Sequence, residues 1–379
     1  VRLLGSHTLA LIQAGAYIAR GHCHLHEYPE VYQQQRKRLL KFQPRQAKSR
    51  YCDVYATFEA SAEVLQQSGS EATKDALYLL TILSMLDSAV LPLQIFPGAW
   101  KGNIEVLSTR QETSEIDAIS QNHIERLPGF IIAEGEKWDP FRLNEASSEL
   151  VSLSLATRHD INSSIGLSMH PLTHAWAKDR QDLQQQKEAW VTTGCILALS
   201  RTDSTMWEDQ ERRLLPHVQT YLDIRIQIAP AAFKALILPI LLKCGWALLA
   251  MRQDSRLSQL LNDIFVKLSK DYNKASKEFL LLYKLQARSL SDMGKSQMAV
   301  NLFEQVVEIE ATTLAETHPH RLASQHNLAS AYQANGQVTQ AIELLEQVVE
   351  IQATTLAETH PARLASQHAL AFLLQQTRL

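Results

Sequence analysis

The sequence lacks the elements that a nucleotide-hydrolysing enzyme requires. No G-x-x-x-x-G-K-[ST] stretch occurs in its 379 residues, and no apolar strand ends in paired acids. In P-loop ATPases those two elements supply the backbone amides, the lysine and the Mg²⁺ ligands. We therefore expect that this chain is not an enzyme and holds no cofactor by itself.

The chain also contains few cysteines and carries only a small net charge. The four cysteines lie far apart, which indicates reduced thiols of a cytoplasmic protein rather than a disulfide framework. The 37 Lys and Arg against 40 Asp and Glu leave a net charge of −3, so no general attraction to nucleic acid or acidic membranes is predicted. The chain begins without Met and shows no signal peptide, and we expect it to be part of a longer protein, continuing past Leu379.

Long apolar runs are nearly absent. The strongest, from Ala235 to Ala250, is interrupted by Pro239 and Lys243. A membrane-spanning helix needs about 20 apolar residues, so this run indicates a buried helix instead. No membrane association is predicted.

Basic residues are concentrated in one segment that has no acid. They could form a phosphate-facing patch or a solvated helix face, and the second interpretation is favoured. The predicted helix 114–126 is mainly acidic, which argues against binding nucleic acid through it. The basic residues are Arg36, Lys37, Arg38, Lys41, Arg45, Lys48 and Arg50.

One histidine-rich segment is a weak candidate for metal binding. His22, Cys23, His24 and His26 form a single contiguous cluster. Structural zinc sites usually combine two separated pairs of ligands, and no second pair is evident. We predict a polar loop and no metal site.

The strongest positive signal is an internal duplication. Residues 302–329 (LFEQVVEIEATTLAETHPHRLASQHNLA) return forty-two positions later as residues 344–371, with 24 of 28 positions identical. A fixed period of this length indicates stacked units, each burying its apolar face against the next. Stacked helical units present surfaces for binding and seldom carry out reactions.

Within each unit the spacing of large and small residues resembles the tetratricopeptide repeat. Leu328, Tyr332, Ala341 and Leu345 occupy the interlocking positions, and Gly336 separates the two helices. The forty-two-residue length and the His-Pro joint are similar to the repeats of kinesin light chains. We predict units at 278–316 and 319–358, followed by a lone first helix from 361.

The first half of the chain is predicted to be helical with one β-hairpin. Helices are expected over 51–67 and 71–86, and a helix running into a strand over 142–156. The alternation between 153 and 170 indicates two short strands. Helices followed by a hairpin suggest a winged-helix-like domain over 69–180. A helical spacer is predicted for 181–277, which makes the whole chain mainly α.

Two segments resemble the nucleotide-switch family NB-ARC. Residues 4–18 (LGSHTLALIQAGAYI) are similar to its "G-L-P-L-A-L" helix, and residues 167–174 (LSMHPLTH) are similar to its "M-H-D" element. The resemblance implies that residues 1–68 are part of a helical lid. It also implies the C-terminal portion of a fungal NOD-like, STAND-type receptor. Two departures are that Thr8 replaces the family's Pro, and Pro171 replaces its Asp.

His170 is the residue that this resemblance singles out. In the family the motif His contacts the β-phosphate of ADP, so His170 would do so together with a nucleotide-binding domain upstream in the same polypeptide. An imidazole N–H can donate to a phosphate oxygen. The other interpretation is that His170 caps the next helix, since Pro171 is well suited to its first position.

Two functions follow from these patterns. The first is the regulatory and ligand-sensing portion of an ADP/ATP-switched signalling receptor, with homo-oligomerisation on activation. The alternative is a kinesin-light-chain-like adaptor whose repeats bind a protein or peptide. For either function, we predict that first-helix side chains line the binding groove, namely His326, Ser330, Gln333, His368 and Phe372.

Overall fold

The fold is described from a computed structural model. The described residues are 8–42, 52–108, 119–132, 137–161, 164–200, 207–226, 229 and 232–376, and only the backbone is described at 36–42, 52, 53, 161, 164 and 207–210. They divide into two compact units, one ending at Leu241 and the other beginning at Leu242. This division differs from the predicted boundaries at 68, 180 and 277.

The first unit is mainly helical. Its predicted helices at 51–67, 71–86 and 142–156 are present with slightly different ends. The helices are α1 Thr8–Ala19, α2 Tyr28–Phe42, α3 Cys52–Ser68, α4 Glu71–Leu83, α5 Ile95–Ser108, α6 Gln121–Ile124, α7 Phe141–Ser152, α8 Pro171–Asp179, α9 Leu183–Leu199 and α10 Trp207–Asp223.

A small antiparallel sheet lies in this unit. The predicted hairpin is confirmed as β2 (Thr157–Ile161) and β3 (Ser164–Ser168), in which Arg158 pairs with Leu167. A third strand, β1 (Leu91–Pro92), adds to β3 and gives the order β1-β3-β2. Sequence alternation could not reveal β1, because a two-residue strand containing proline has no periodicity to detect.

Side-chain contacts tie the predicted lid region to the predicted winged-helix region. The rings of Phe58 on α3 and Trp176 on α8 lie 5.4 Å apart. Beside them the Glu59 carboxylate accepts hydrogen bonds from Trp176 Nε1 at 3.1 Å and Arg180 Nε at 3.0 Å. Residues on either side of position 68 therefore share one core. Whether this arrangement is a winged helix stays a prediction.

The predicted acidic helix 114–126 is only partly covered by the described residues. Its first part, up to 118, lies outside them. Only the short helix α6 is present in the remainder. The basic side chains at 36–50 likewise lie outside the side chains that are described.

The second unit is a series of antiparallel helix pairs. The predicted pairs are present as α13 with α14 and α15 with α16, and α17 is the predicted further first helix. The helices are α11 Leu238–Ala250, which begins in the first unit, α12 Asp254–Leu268, α13 Leu280–Asp292, α14 Ser296–Thr313, α15 Pro319–Ala334, α16 Val338–Thr355 and α17 Pro361–Gln376.

An additional helix pair precedes the predicted repeats and keeps their period. The turns within the three pairs place Arg252, Gly294 and Gly336, each forty-two residues apart, at φ of 54°, 75° and 79°. The next residue in each turn donates its N–H to a carbonyl five residues earlier, at 2.8 to 2.9 Å. Helices α11 and α12 therefore form a divergent unit of the same series, within the segment predicted as a spacer.

A small residue at one position of the first helix allows the two helices of this divergent pair to pack closely, as in the later units. Gly245 occupies the position of Ala287 and Ala329, both fully buried. A Cβ at Gly245 would lie 2.6 Å from Leu285 Cδ2. Glycine therefore permits a closer helix approach here than alanine does in the later units.

The apolar run in this region is continuous helix in the structure. A π-helical turn, Phe233–Ile237, leads directly into α11, giving an 18-residue segment that meets the length and composition of a membrane span. The helical segment is thus longer than the apolar run that the sequence indicated. Because 67% of this segment is buried within the protein, a core helix accounts for it.

Candidate protein-interaction surface

The first helices of successive repeat units lie side by side. Arg288 on α13 donates from Nη1 to Asn327 Oδ1 on α15 at 3.4 Å. One unit later, His326 Nδ1 lies 3.1 Å from Ser366 Oγ on α17. These bonds join equivalent helices α13, α15 and α17 into one continuous surface, which we call the first-helix face.

Three of the predicted groove residues are brought together on α15. His326, Ser330 and Gln333 are all half-buried. The Ser330 hydroxyl donates to the His326 carbonyl at 3.1 Å. Burial, and then the positive charge of Arg288, lower the pKa of His326 below its ordinary value. His326 thus contributes to the packing of α15 against α17.

The remaining two predicted residues lie on α17 and are exposed. His368 and Phe372 occupy the positions of His326 and Ser330 one period later. Phe372 is 46% exposed, so its ring is open to a partner. Together the five predicted residues span two adjacent first helices.

A buried ion pair between the first and second helices of one unit could not be anticipated from the duplication alone. The Lys284 ammonium on α13 lies 2.5 Å from Glu310 Oε1 on α14, and Glu310 is fully buried. One period later these positions hold His326 and Gln352, so the charged pair becomes neutral. The sequence did mark one partner of this pair, because Glu310 is one of the four positions at which the two copies differ.

His170 caps helix α8. Its side chain is exposed, and Nδ1 accepts a hydrogen bond from the Leu172 N–H at 3.1 Å. His318 and His360 make the same bond at α15 and α17, both at 3.2 Å, and each is followed by proline. One His-Pro capping geometry therefore recurs three times, twice within the repeats.

The joints between successive units repeat as well. Arg321 donates from Nη1 to the Leu314 carbonyl at 3.2 Å, and Arg363 donates to the Leu356 carbonyl at 3.0 Å. These carbonyls lie at the C-terminal ends of α14 and α16, where no intrahelical donor remains. Each joint is thus closed by an arginine from the following unit.

The histidine-rich segment does not assemble ligands. His22 packs on Tyr17, with ring centroids 5.1 Å apart, whereas His24 and His26 stack on each other. No group of three or more potential metal ligands occurs among the described residues.

Comparison with known proteins agrees with this geometry. Residues 320–378 match the tetratricopeptide repeat family model. This chain belongs to the tetratricopeptide-repeat proteins. Such repeats mediate protein–protein interaction and are typically non-catalytic scaffolds. No curated protein matches the chain significantly.

Two solved structures are similar to this tetratricopeptide-repeat chain. Both are of a Podosopora anserina protein described by the words putative kinesin light chain and nearly identical TPR-like repeats, one of them being a single-substitution variant. Each is 34% identical over 52% of this chain, with a TM-score of 0.32. The match covers 78% of the variant chain and 79% of the other.

Proposed function

We propose that this chain binds a peptide segment of another protein across the first-helix face of its repeats. The observation that carries the proposal is the lateral bonding of α13, α15 and α17, which places partly exposed side chains of equivalent position in adjacent rows. An extended peptide crossing these helices would meet Arg288, Ser330 and Phe372 in turn. Polar groups would fix its register, and the exposed aromatic ring would contribute apolar contact.

Peptide-library display on the whole chain tests this function. Selected peptides should bind Phe372→Ala and Ser330→Arg variants at least about tenfold more weakly, which corresponds to about 1.4 kcal/mol. Glu346→Ala is a matched control, because Glu346 is exposed on the second helix α16. Failure to enrich any peptide, or equal binding to all variants, would contradict the proposal.

The second candidate function is the regulatory portion of a nucleotide-switch receptor in the cytoplasm. It is supported by the exposure of His170 at the start of α8, directly after the β-hairpin. With Nδ1 engaged by Leu172, Nε2 is the atom that would donate to an ADP phosphate. Under this proposal ADP favours a closed form, ligand engagement favours an open form, and activation leads to homo-oligomers.

The capping and nucleotide roles of His170 are separable. In a polypeptide joining this chain to its upstream nucleotide-binding domain, His170→Asn keeps a helix cap but removes the imidazole. Faster ADP release from His170→Asn supports the nucleotide role. Unchanged release, with stability lost only in His170→Ala, leaves capping as the sole role. The kinesin-light-chain-like adaptor would instead have upstream coiled-coil heptads and no P-loop.

A further inference from the structure

The hydroxyl of Ser366 fixes the position of the proton on a neighbouring imidazole. Ser366 is 1% exposed, so its hydrogen bonds have to be made within the protein. Its Oγ donates to the Ala362 carbonyl at 3.1 Å and lies 3.1 Å from His326 Nδ1. A serine hydroxyl carries a single proton. Since that proton goes to Ala362, both bonds are made only when His326 Nδ1 carries a proton and donates it to Oγ.

The second ring nitrogen of His326 is therefore an acceptor. Burial and the positive charge of Arg288 lower the pKa of His326, so the imidazole is neutral at about pH 7. A neutral imidazole has one N–H and one bare nitrogen. With the proton held on Nδ1, the bare nitrogen is Nε2, which makes no hydrogen bond to a described residue and keeps contact with solvent.

Ser330 makes the next turn of α15 an acceptor as well. Its hydroxyl donates to the His326 carbonyl at 3.1 Å, so its proton is not available to a partner. Positions four apart lie on the same side of a helix. At these two residues the middle helix of the first-helix face thus offers acceptors and no donor.

Charge on the neighbouring helix narrows the kind of donor that can approach. Arg288 on α13 disfavours protonation of His326, even though Asp292 lies 3.5 Å from its Nε. The same charge would oppose a cationic donor at His326 Nε2. Lys284, which holds the position of His326 in the preceding unit, is paired with Glu310. An uncharged N–H fits best, and every peptide residue except proline supplies one in its backbone.

We propose that His326, held in this tautomer by Ser366, selects the partner of the first-helix face by accepting a hydrogen bond from an uncharged peptide N–H through Nε2. The proposal rests on the peptide-binding function proposed above. It adds that a bound segment turns a backbone N–H toward α15, rather than a carbonyl or a cationic side chain. Ser366 does not touch the partner and acts by positioning the proton of His326.

Nitrogen-15 NMR of the imidazoles in the whole chain tests the tautomer directly. His326 should carry its proton on Nδ1, whereas the exposed His368 should exchange its proton between both nitrogens. Ser366→Ala removes the acceptor and should shift His326 toward the Nε2–H form. A purely structural role of Ser366 would change stability and leave the tautomer as it is.

Chemical substitution in a peptide obtained by display tests the N–H donor. Each backbone amide in turn is replaced by an ester, which removes one N–H. One ester should weaken binding to the unsubstituted chain at least about fivefold, the size of a single hydrogen bond. In His326→Asn the side-chain amide can still donate to Ser366 but has no atom in the place of Nε2, so the ester and amide peptides should bind about equally. Glu346→Ala, exposed on α16, is the matched control and should respond as the unsubstituted chain does.

The outcomes separate this proposal from the function on which it rests. Peptides that bind the first-helix face, yet respond to every ester alike in the unsubstituted chain and in His326→Asn, would leave the function standing and overturn the role of His326. A proton on Nε2 in the free chain would overturn that role as well. Failure to enrich any peptide would contradict both proposals.

Discussion

At the scale of single residues, the informative comparison is between equivalent positions of the two copies. Lys284 and Glu310 form a charged pair in one unit, and His326 and Gln352 occupy the same positions in the next. Breaking a buried ion pair by removing one partner is strongly destabilising, whereas replacing both partners together is often neutral. The chain thus contains its own replacement for the pair.

We expect Glu310→Gln to lower the free energy of unfolding by about 3 kcal/mol, because it leaves the Lys284 ammonium largely buried without its carboxylate. The double variant Lys284→His/Glu310→Gln copies the next unit and should recover most of that loss. Urea unfolding followed by circular dichroism measures both. Equal losses in the single and double variants would show that the pairing contributes nothing.

The His-Pro caps give a second residue-scale prediction. His318→Ala should cost about 1 kcal/mol of stability by removing an N-cap acceptor, and His318→Asn should retain most of it. Thermal unfolding of the two variants provides the measurement. A loss of equal size in both would mean that the ring's packing, with His320 beside it, matters more than the cap.

At the scale of elements, the turns within helix pairs show what the period requires. Gly294 and Gly336 hold a left-handed conformation that costs other residues about 1–2 kcal/mol, yet Arg252 holds it in the first pair. Arg252 offsets part of this cost, since its guanidinium donates to the Asp292 carbonyl at 3.0 Å. The same turn is thus built with and without glycine.

Gly336→Ala should therefore lower stability by about 1 kcal/mol. No atom lies within 4 Å of the added Cβ, so the cost is purely conformational. Gly15→Ala is the control and should not lose stability, because nothing lies within 4 Å of an added Cβ there either, while Gly15 keeps an ordinary helical φ. Chemical denaturation compares the two, and an unchanged midpoint for Gly336→Ala would contradict the explanation.

The sequence predicted these elements unevenly, for physical reasons. Near-identical copies made α15 and α16 readable, because residues 302–329 and 344–371 show most positions of the unit twice. The pair α11–α12 keeps the same turn, but Gly245, Leu248 and Leu257 stand at the positions where the later units carry the residues typical of the repeat. Only the backbone geometry therefore shows that this pair belongs to the series. The joint role of Arg321 was equally hidden, because an arginine that bonds a carbonyl has no periodic signature.

The candidate site was predicted in outline but not in detail. The predicted positions lie on adjacent first helices, since α15 and α17 are bonded side by side; that they line a binding groove stays a prediction. The sequence could not predict which of these side chains are available to a partner, because that depends on burial. His326 is half-buried and hydrogen-bonded to Ser366, whereas Phe372 is exposed. The nucleotide role of His170 stays a prediction.

At the scale of the whole molecule, we expect the first unit to lose more stability in acid than the second. Burial lowers the pKa of four histidines in the described part of the first unit, and of one, His326, in the described part of the second. The four are His22, His123, His174 and His217. An imidazole with a lowered pKa stays neutral in the folded state while the unfolded chain binds a proton.

Two of these histidines hold one segment of the first unit. His174 Nε2 lies 2.7 Å from the Leu86 carbonyl, and His217 Nε2 lies 3.2 Å from the Val90 carbonyl. Between them the Asp87 carboxylate accepts from Thr220 Oγ1 at 3.1 Å. Protonating both imidazoles would place two charges in this buried region, relieved only partly by Asp87.

The first unit should therefore be fully stable above about pH 6.5 and lose stability as the pH falls below it. Tryptophan fluorescence reports mainly this unit, because five of the six tryptophans precede Leu242. Urea unfolding between about pH 5 and 7.5 should show a slope that His174→Gln reduces. Equal slopes in the unsubstituted protein and in His174→Gln would refute the assignment.

The arginine joints have a consequence for how such a gene can change. Because Arg321 reaches back to Leu314 and Arg363 to Leu356, each forty-two-residue block carries one half of the joint before it and one half of the joint after it. Near-identical coding copies are prone to misaligned recombination, which adds or removes whole blocks. Since every new junction would again match an arginine with a helix-end carbonyl, array length can drift between generations while the folding of each block is preserved.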